Sequence, residues 1–256
     1  MKRLNVLNSF GVLVILSVAL ILVSSPAQAY IYDSFPGPGP GINSSLWKDI
    51  GPNTGLFSVQ STGGLNFNDP SPGGNVDQLI SAAPVSGPFF VSLNYSAFSA
   101  NNTTTGSEDF SASSVGLWVG EPSDFYIAGY SLKDSGANTG FRANSFISGT
   151  STHLSPKVSA SAPSGSLGVY FNGELGAGGV LTLWYNDGAG WTELASADPD
   201  FTSDPYFAIM GYDLDGSSLS FKVSEVDIVP LPPTALLLGS GLLGLAAVRL
   251  RSRWRK

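Results

Sequence analysis

From residue 30 to residue 229 the chain repeats one pattern: short runs rich in β-branched and aromatic residues, each bounded by Gly, Ser, Asn, Asp or Pro. Phe89, Val91, Leu93 and Tyr95 alternate with other residues, which places them on one face of a strand. No segment in this range has the period of a long amphipathic helix. The pattern predicts an all-β domain of about ten to fourteen strands, a two-sheet antiparallel β-sandwich of the jelly-roll type.

Turn signals divide these runs into strand pairs. Residues 114–119 are predicted to pair with 124–132, and residues 166–172 with 180–186. The Asp187-Gly188 step supplies the positive φ of a tight turn just before Trp191. The final hairpin is predicted to join residues 206–212 to 218–228 through the turn at 213–216.

The first 29 residues have the three parts of a secretory signal peptide. Lys2 and Arg3 precede an apolar run over residues 10–23, and Ala27 and Ala29 form a cleavage site for signal peptidase. Cleavage there makes Tyr30 the first residue of the exported protein. The alternative is a retained N-terminal anchor helix.

The last 27 residues, 230–256, form a second targeting segment with an uncharged run over residues 235–248. A helix over residues 231–250 is about 30 Å long, at ~1.5 Å per residue, which matches a membrane core of about 30 Å. The basic residues that follow predict a cytoplasmic C-terminus and an exported domain, as in an inner-membrane-anchored precursor. The basic cluster comprises Arg249, Arg251, Arg253, Arg255 and Lys256, and the segment before the helix comprises Val229, Pro230, Leu231, Pro232, Pro233 and Thr234.

This order of a Pro-rich motif, an apolar helix and a basic end resembles the PEP-CTERM sorting tail of exopolysaccharide-producing Gram-negative bacteria. The resemblance covers residues 229–256, and Leu231 stands where the family usually has Glu. It implies recognition by an exosortase-type membrane transpeptidase that cuts near the Pro motif. The domain would then reach the cell surface or the extracellular matrix, in association with exopolysaccharide. The alternative is an ordinary C-terminal membrane anchor.

Charge and composition limit the chemistry of the domain. It contains no Cys, and five basic residues against all nineteen acidic ones give residues 30–229 a net charge of −14. Such a surface excludes nucleic-acid binding by electrostatics, and it either attracts cations or serves solubility. His153 is the only histidine and is interpreted as a surface residue. One His and no Cys exclude zinc sites that are built mainly on those two ligands.

Three parts of the domain resemble the concanavalin A-like lectin/glucanase superfamily. They are residues 33–47 with Trp47, residues 168–194 with Trp184 and Trp191, and residues 207–227. The resemblance implies the jelly-roll fold and transfers no activity, because one fold supports many functions.

Exposed aromatic rings are the sequence feature most typical of sugar binding, because ring faces stack on the C–H faces of pyranoses. The predicted saccharide contacts are therefore in the hairpin that contains Trp184, Tyr185, Asn186, Asp187 and Trp191. The alternative is that these rings fill the core, where aromatic residues contribute much of the buried area. For Trp47 and Trp118 we expect the core.

Two acidic segments are candidates for other chemistry. Asp213 and Asp215 resemble the start of a calcium loop, although Ser224 stands where an EF-hand has Glu, and an Asx turn is the alternative. Glu225 and Asp227 match part of a glucanase motif whose third carboxylate is replaced by Pro230. We therefore predict no enzyme activity and no cofactor, with calcium as the one candidate metal.

The sequence favours a non-catalytic exported surface or matrix protein that associates with exopolysaccharide. The alternatives are a calcium-dependent carbohydrate-binding module and, less favoured, a degenerate polysaccharide-active enzyme.

Overall fold

The computed structural model describes residues 30–37, 41–70, 76–100, 113–132, 139–213 and 218–230. These residues contain sixteen strands and no helix. The strands are β1 (Tyr30–Asp33), β2 (Trp47–Asp49), β3 (Phe57–Val59), β4 (Leu65–Asp69), β5 (Val76–Ser81), β6 (Phe89–Ala100), β7 (Ser113–Glu121), β8 (Asp124–Leu132), β9 (Gly140–Ile147), β10 (Thr150–His153), β11 (Val158–Ser159), β12 (Gly165–Phe171), β13 (Leu181–Asn186), β14 (Trp191–Ala197), β15 (Tyr206–Tyr212) and β16 (Leu219–Pro230).

The strands form two antiparallel sheets of eight. Sheet A has the order β14-β13-β12-β6-β16-β4-β3, with β1 paired to β16. Sheet B has the order β10-β9-β8-β7-β15-β5-β2, with β11 paired to β9. The predicted antiparallel jelly-roll sandwich is confirmed, while the two predicted terminal helices lie outside the described residues.

The core lies between the sheets because strands of both sheets turn alternate apolar residues inward. On β6 the predicted inward face, Phe89, Val91, Leu93 and Tyr95, is buried. Sheet B contributes Phe141, which stacks on Tyr185 of sheet A at 4.4 Å. The same alternation points the residues between them away from the core, and this outer face of sheet A carries the candidate site.

Trp47 forms a hydrogen bond between the two sheets near the start of the domain. Its ring is buried as predicted, and its Nε1–H donates to Asp33 Oδ2 at 2.8 Å. The other carboxylate oxygen of Asp33 accepts the Phe35 N–H at 2.7 Å. Because Asp33 ends β1 in sheet A and Trp47 begins β2 in sheet B, this buried hydrogen bond links the sheets.

Two predictions about the strands are wrong. The predicted strand number is too low, because short edge strands such as β3, β10 and β11 carry little periodicity. The predicted last hairpin does not form. Instead, β15 pairs with β7 and β5 in sheet B, while β16 pairs with β4 and β1 in sheet A. Residues 213–218 therefore connect the sheets rather than two paired strands.

Candidate functional site

The β13–β14 hairpin is held by a tight turn that the sequence predicted. Gly188 and Gly190 adopt positive φ angles of 104° and 123°. The Asn186 side-chain oxygen accepts both of their N–H groups, at 2.8 and 3.1 Å, and Asp187 Oδ1 accepts the Ala189 N–H at 3.1 Å. This turn places Trp191 directly opposite Asn186 across the hairpin.

Trp191 lies on the outer face of sheet A, where 42% of its surface is exposed. Its ring meets Phe90 of β6 edge-on, with ring centroids 5.3 Å apart. Both rings lie above Gly168, where an added Cβ would stand 2.5 Å from Phe90 Cζ and 2.8 Å from Trp191 Cζ3. The missing side chain at Gly168 therefore lets both rings rest close to the sheet.

Trp184 and Tyr170 extend this surface. Trp184 is directly opposite Gly168, and Tyr170 is directly opposite Phe90. Both side chains are half-buried, as Phe90 is. We call Phe90, Tyr170, Trp184 and Trp191 the aromatic platform.

A row of polar side chains borders the aromatic platform. Asn94 Nδ2 donates to Glu225 Oε1 at 2.7 Å, and Ser166 Oγ donates to Asn94 Oδ1 at 2.5 Å. Asn94 and Asn186 both pair with Ser166 in register, so the row crosses four neighbouring strands of sheet A. Four strands span about 14 Å at ~4.8 Å per strand. We call Glu225, Asn94, Ser166 and Asn186 the polar row.

The structure separates the other predicted aromatic contacts from this surface. Tyr185 faces the core, where it stacks on Phe141, because alternation turns it away from Trp184 and Asn186. Its prediction as a saccharide contact is therefore wrong. Trp118 is fully buried, as expected, but it packs on Phe125 in a second apolar cluster and not between the sheets.

The predicted calcium residues are only partly described. Asp213 is fully buried and accepts the Ser113 hydroxyl at 2.7 Å, while Asp215 lies outside the described residues. Among the residues that the structure describes, no group of three His, Cys, Asp or Glu could hold a metal ion. The calcium site stays a prediction.

Two further carboxylates differ from ordinary surface groups. Asp77 is buried and accepts the Leu56 and Gln78 N–H groups at 3.0 and 2.8 Å. Burial raises the pKa of Asp77 to about 7, together with the hydrogen bond that protonated Asp77 donates to Asp49 and the negative charge of that neighbour. Burial and then the charge of Glu225 raise the pKa of Asp227.

The ends of the domain lie side by side. Tyr30, the predicted first residue after export, pairs with Ile228 on β16. Val229 and Pro230 end that strand, whereas Ala27, Ala29 and residues 231–234 lie outside the described residues. Within the part of the chain that is described, no helix is long and apolar enough to span a membrane.

No protein-family model and no curated protein matches this chain. Solved structures do match. A legume lectin-like domain from Entamoeba histolytica shares 11% identity at a TM-score of 0.52, over 73% of this chain and 91% of that one. The VIP36 exoplasmic/lumenal domain shares 10% identity at 0.54, over 80% and 91%.

A third similar structure is the GH43 protein BlXynB of Bacillus licheniformis, with 10% identity and a TM-score of 0.54. The match covers 81% of this chain but 40% of that protein. At these identities the likeness shows the fold alone, a two-sheet antiparallel jelly-roll sandwich. The predicted fold is therefore confirmed, whereas the resemblance of residues 229–256 to a sorting tail stays a prediction.

Proposed function

We propose that this chain is an exported, non-catalytic surface protein whose sheet A binds an extracellular polysaccharide. The aromatic platform carries the proposal. A tryptophan with 42% of its surface exposed, supported by Phe90 and Gly168, offers apolar ring surface to solvent. Sugar rings offer matching C–H faces, while their hydroxyl groups need the hydrogen-bonding partners that the polar row provides.

Similar folds support this proposal. The VIP36 domain was solved with Ca²⁺ and Man3GlcNAc bound, so a jelly roll of this type can carry a saccharide. Fold alone does not transfer the site, and for this reason the proposal rests on the platform residues of this chain.

The outer face of sheet A favours binding over hydrolysis. A glycosidase needs two carboxyl groups that flank the scissile bond, about 5–10 Å apart. Glu225 and Asp227 are close enough, but they lie side by side on one strand rather than on two sides of a bound sugar, and Asn94 donates a hydrogen bond to Glu225. The GH43 neighbour matches over less than half of its own length, so it adds little to the enzymatic alternative.

A calcium-dependent carbohydrate-binding module remains the alternative. It follows from the Asp213 and Asp215 prediction and from the Ca²⁺ in the VIP36 structure. Binding measured before and after chelation with EDTA distinguishes the two. Platform binding persists without calcium, whereas a calcium-dependent module loses its affinity.

Substitution of Trp191 tests the proposal. Trp191→Ala removes the exposed ring, and a lost stacking contact of about 1–3 kcal/mol weakens binding by about fivefold to more than a hundredfold. Affinity electrophoresis in gels that contain host exopolysaccharide measures the change. The control is Ile147→Ala on sheet B, where the side chain is 40% exposed. Equal migration of the wild type and Trp191→Ala would contradict the proposal.

The route of export is part of the same proposal. Because Tyr30 pairs with Ile228, the two ends of the domain next to the predicted cleavage sites lie side by side on sheet A. Signal peptidase would cut before Tyr30, and an exosortase would cut near residues 230–234. Mass spectrometry of the protein from its host would then find Tyr30 first and a residue near Thr234 last. A chain that still ends at Lys256 would instead indicate an ordinary membrane anchor.

A further inference from the structure

Most of the charged side chains around the aromatic platform are acidic. Glu193 is exposed on β14 and pairs in register with Trp184. Asp187 is exposed in the adjoining turn, and Glu225 and Asp227 lie half-buried on β16. Lys222 is the one basic residue among the described strands of sheet A. The platform is therefore bordered mainly by carboxylates.

We propose that the aromatic platform selects saccharides that carry a protonated amine, such as polymers of unacetylated amino sugars, over neutral and carboxylate-bearing ones. This inference rests on the proposed function and names the ligand class of the same site. The juxtaposition of Glu193 with the rings of Trp184 and Trp191 carries it.

The carboxylate and the indole rings of the site both attract an ammonium group. Directly opposed residues on one face have Cβ atoms about 4.5–5.5 Å apart, so the Glu193 side chain starts beside Trp184 and its carboxylate is within reach of a group bound at the indole. An ammonium at this position donates charge-assisted hydrogen bonds to the carboxylate and lies against an electron-rich ring face. Tryptophan is the aromatic residue with the strongest cation–π attraction.

The same charges act against acidic sugars. A uronate carboxylate brought beside Glu193 would meet a like charge, and the domain as a whole carries a net charge of −14. Neutral N-acetylated sugars can still stack on the platform, but they gain nothing from the carboxylates. The expected order of affinity is therefore amine-bearing, then neutral, then acidic.

The test compares three oligosaccharides of equal length: oligoglucosamine, its fully N-acetylated form, and oligogalacturonate. Titration calorimetry on the exported protein at about pH 6, where such amines are protonated, measures each affinity. An exposed ion pair together with a cation–π contact predicts oligoglucosamine binding about three- to tenfold tighter than the acetylated form. Raising the salt to about 1 M reduces this ratio, because exposed charges are screened.

Glu193→Gln identifies the carboxylate responsible. It keeps the size of the side chain and is expected to lower the ratio toward one while N-acetyl binding stays unchanged. Glu121→Gln is the matched control: it removes the same charge from the end of β7 in sheet B, where Glu121 accepts the Ser203 hydroxyl. The control is expected to retain the full ratio.

The outcomes separate this inference from the proposed function. A ratio near one, or tighter binding of oligogalacturonate, overturns the amine preference even if Trp191→Ala still weakens every interaction. Equal ratios in the Glu193→Gln and Glu121→Gln variants also overturn it, because the preference would then come from overall charge. Absence of binding by all three sugars overturns the inference, whereas the proposed function is decided separately by the electrophoresis of Trp191→Ala in host exopolysaccharide.

Discussion

Gly168 offers a way to alter the aromatic platform without removing any of its rings. In Gly168→Ala the new Cβ would stand 2.5 Å from Phe90 Cζ and 2.8 Å from Trp191 Cζ3. Both rings must move by about 0.6–0.9 Å to reach ordinary contact distances, and both are side chains at the surface that can do so. Gly168 does not adopt a positive φ angle, so alanine fits the backbone.

Gly168→Ala is expected to change stability little and to weaken saccharide binding. Alanine suits a strand better than glycine by about 0.5–1 kcal/mol, which offsets the displacement of the rings, so the free energy of unfolding changes by less than about 1 kcal/mol. The raised rings no longer rest together on the sheet. A loss of about 1–1.4 kcal/mol in stacking would weaken saccharide binding by about five- to tenfold.

Two measurements on the same variant check this prediction. Urea denaturation gives the free energy of unfolding, and titration calorimetry with the saccharide that the wild type binds gives the affinity. Gly168→Ala should unfold near the wild-type midpoint and bind more weakly. Unchanged affinity would refute the reasoning, because the supported rings would then not form the binding surface.

Two further predictions concern stability. Gly211→Ala places a Cβ into the buried ring of Phe67, and this ring cannot move away because it stacks on Phe221 with ring centroids 4.9 Å apart. We expect the free energy of unfolding in urea to fall by about 1–3 kcal/mol. A loss as small as that of a surface substitution would contradict this packing. The folded protein raises the pKa of Asp77 from 3.8 to about 7, so the folded state holds the proton more tightly than the unfolded chain does. The resulting stabilisation is complete below the pKa that Asp77 has in the unfolded chain, and it is lost as the pH rises through about 7. The free energy of unfolding should therefore fall from about pH 5 to about pH 8, and fall less in Asp77→Asn; identical slopes would refute the assignment.

The local pattern was enough to predict much of the fold. Alternation identified the buried face of β6, and the Asn and Gly residues after Trp184 identified the turn before Trp191. It was harder to predict which strands become neighbours. Residues 213–216 have the composition of a hairpin turn, and yet the strands before and after them belong to different sheets. One signal was present in the sequence. Residues 206–212 are apolar at nearly every position, as in a strand covered on both faces, whereas β16 alternates.

The site was predicted in part. Trp191 and Trp184 face outward, whereas Tyr185 faces the core in contact with Phe141, and strand alternation over residues 181–186 was the signal that could have shown this. Phe90 and Gly168 were missed, since they join the platform through register across β6, β12 and β13. Of the polar row, Asn186 was among the predicted saccharide contacts, while Asn94, Ser166 and Glu225 were missed as contacts for the same reason. Such long-range pairings are set by the whole sheet and not by any local motif.

The indole N–H resonances of the tryptophans test the central claim most directly. A ¹⁵N-labelled sample titrated with the bound saccharide reports separately on each ring by NMR. Binding at the aromatic platform predicts that the Trp191 and Trp184 signals shift, while those of the buried Trp47 and Trp118 stay in place. A shift of Trp118 with Trp191 unchanged would place the ligand on sheet B and contradict the account.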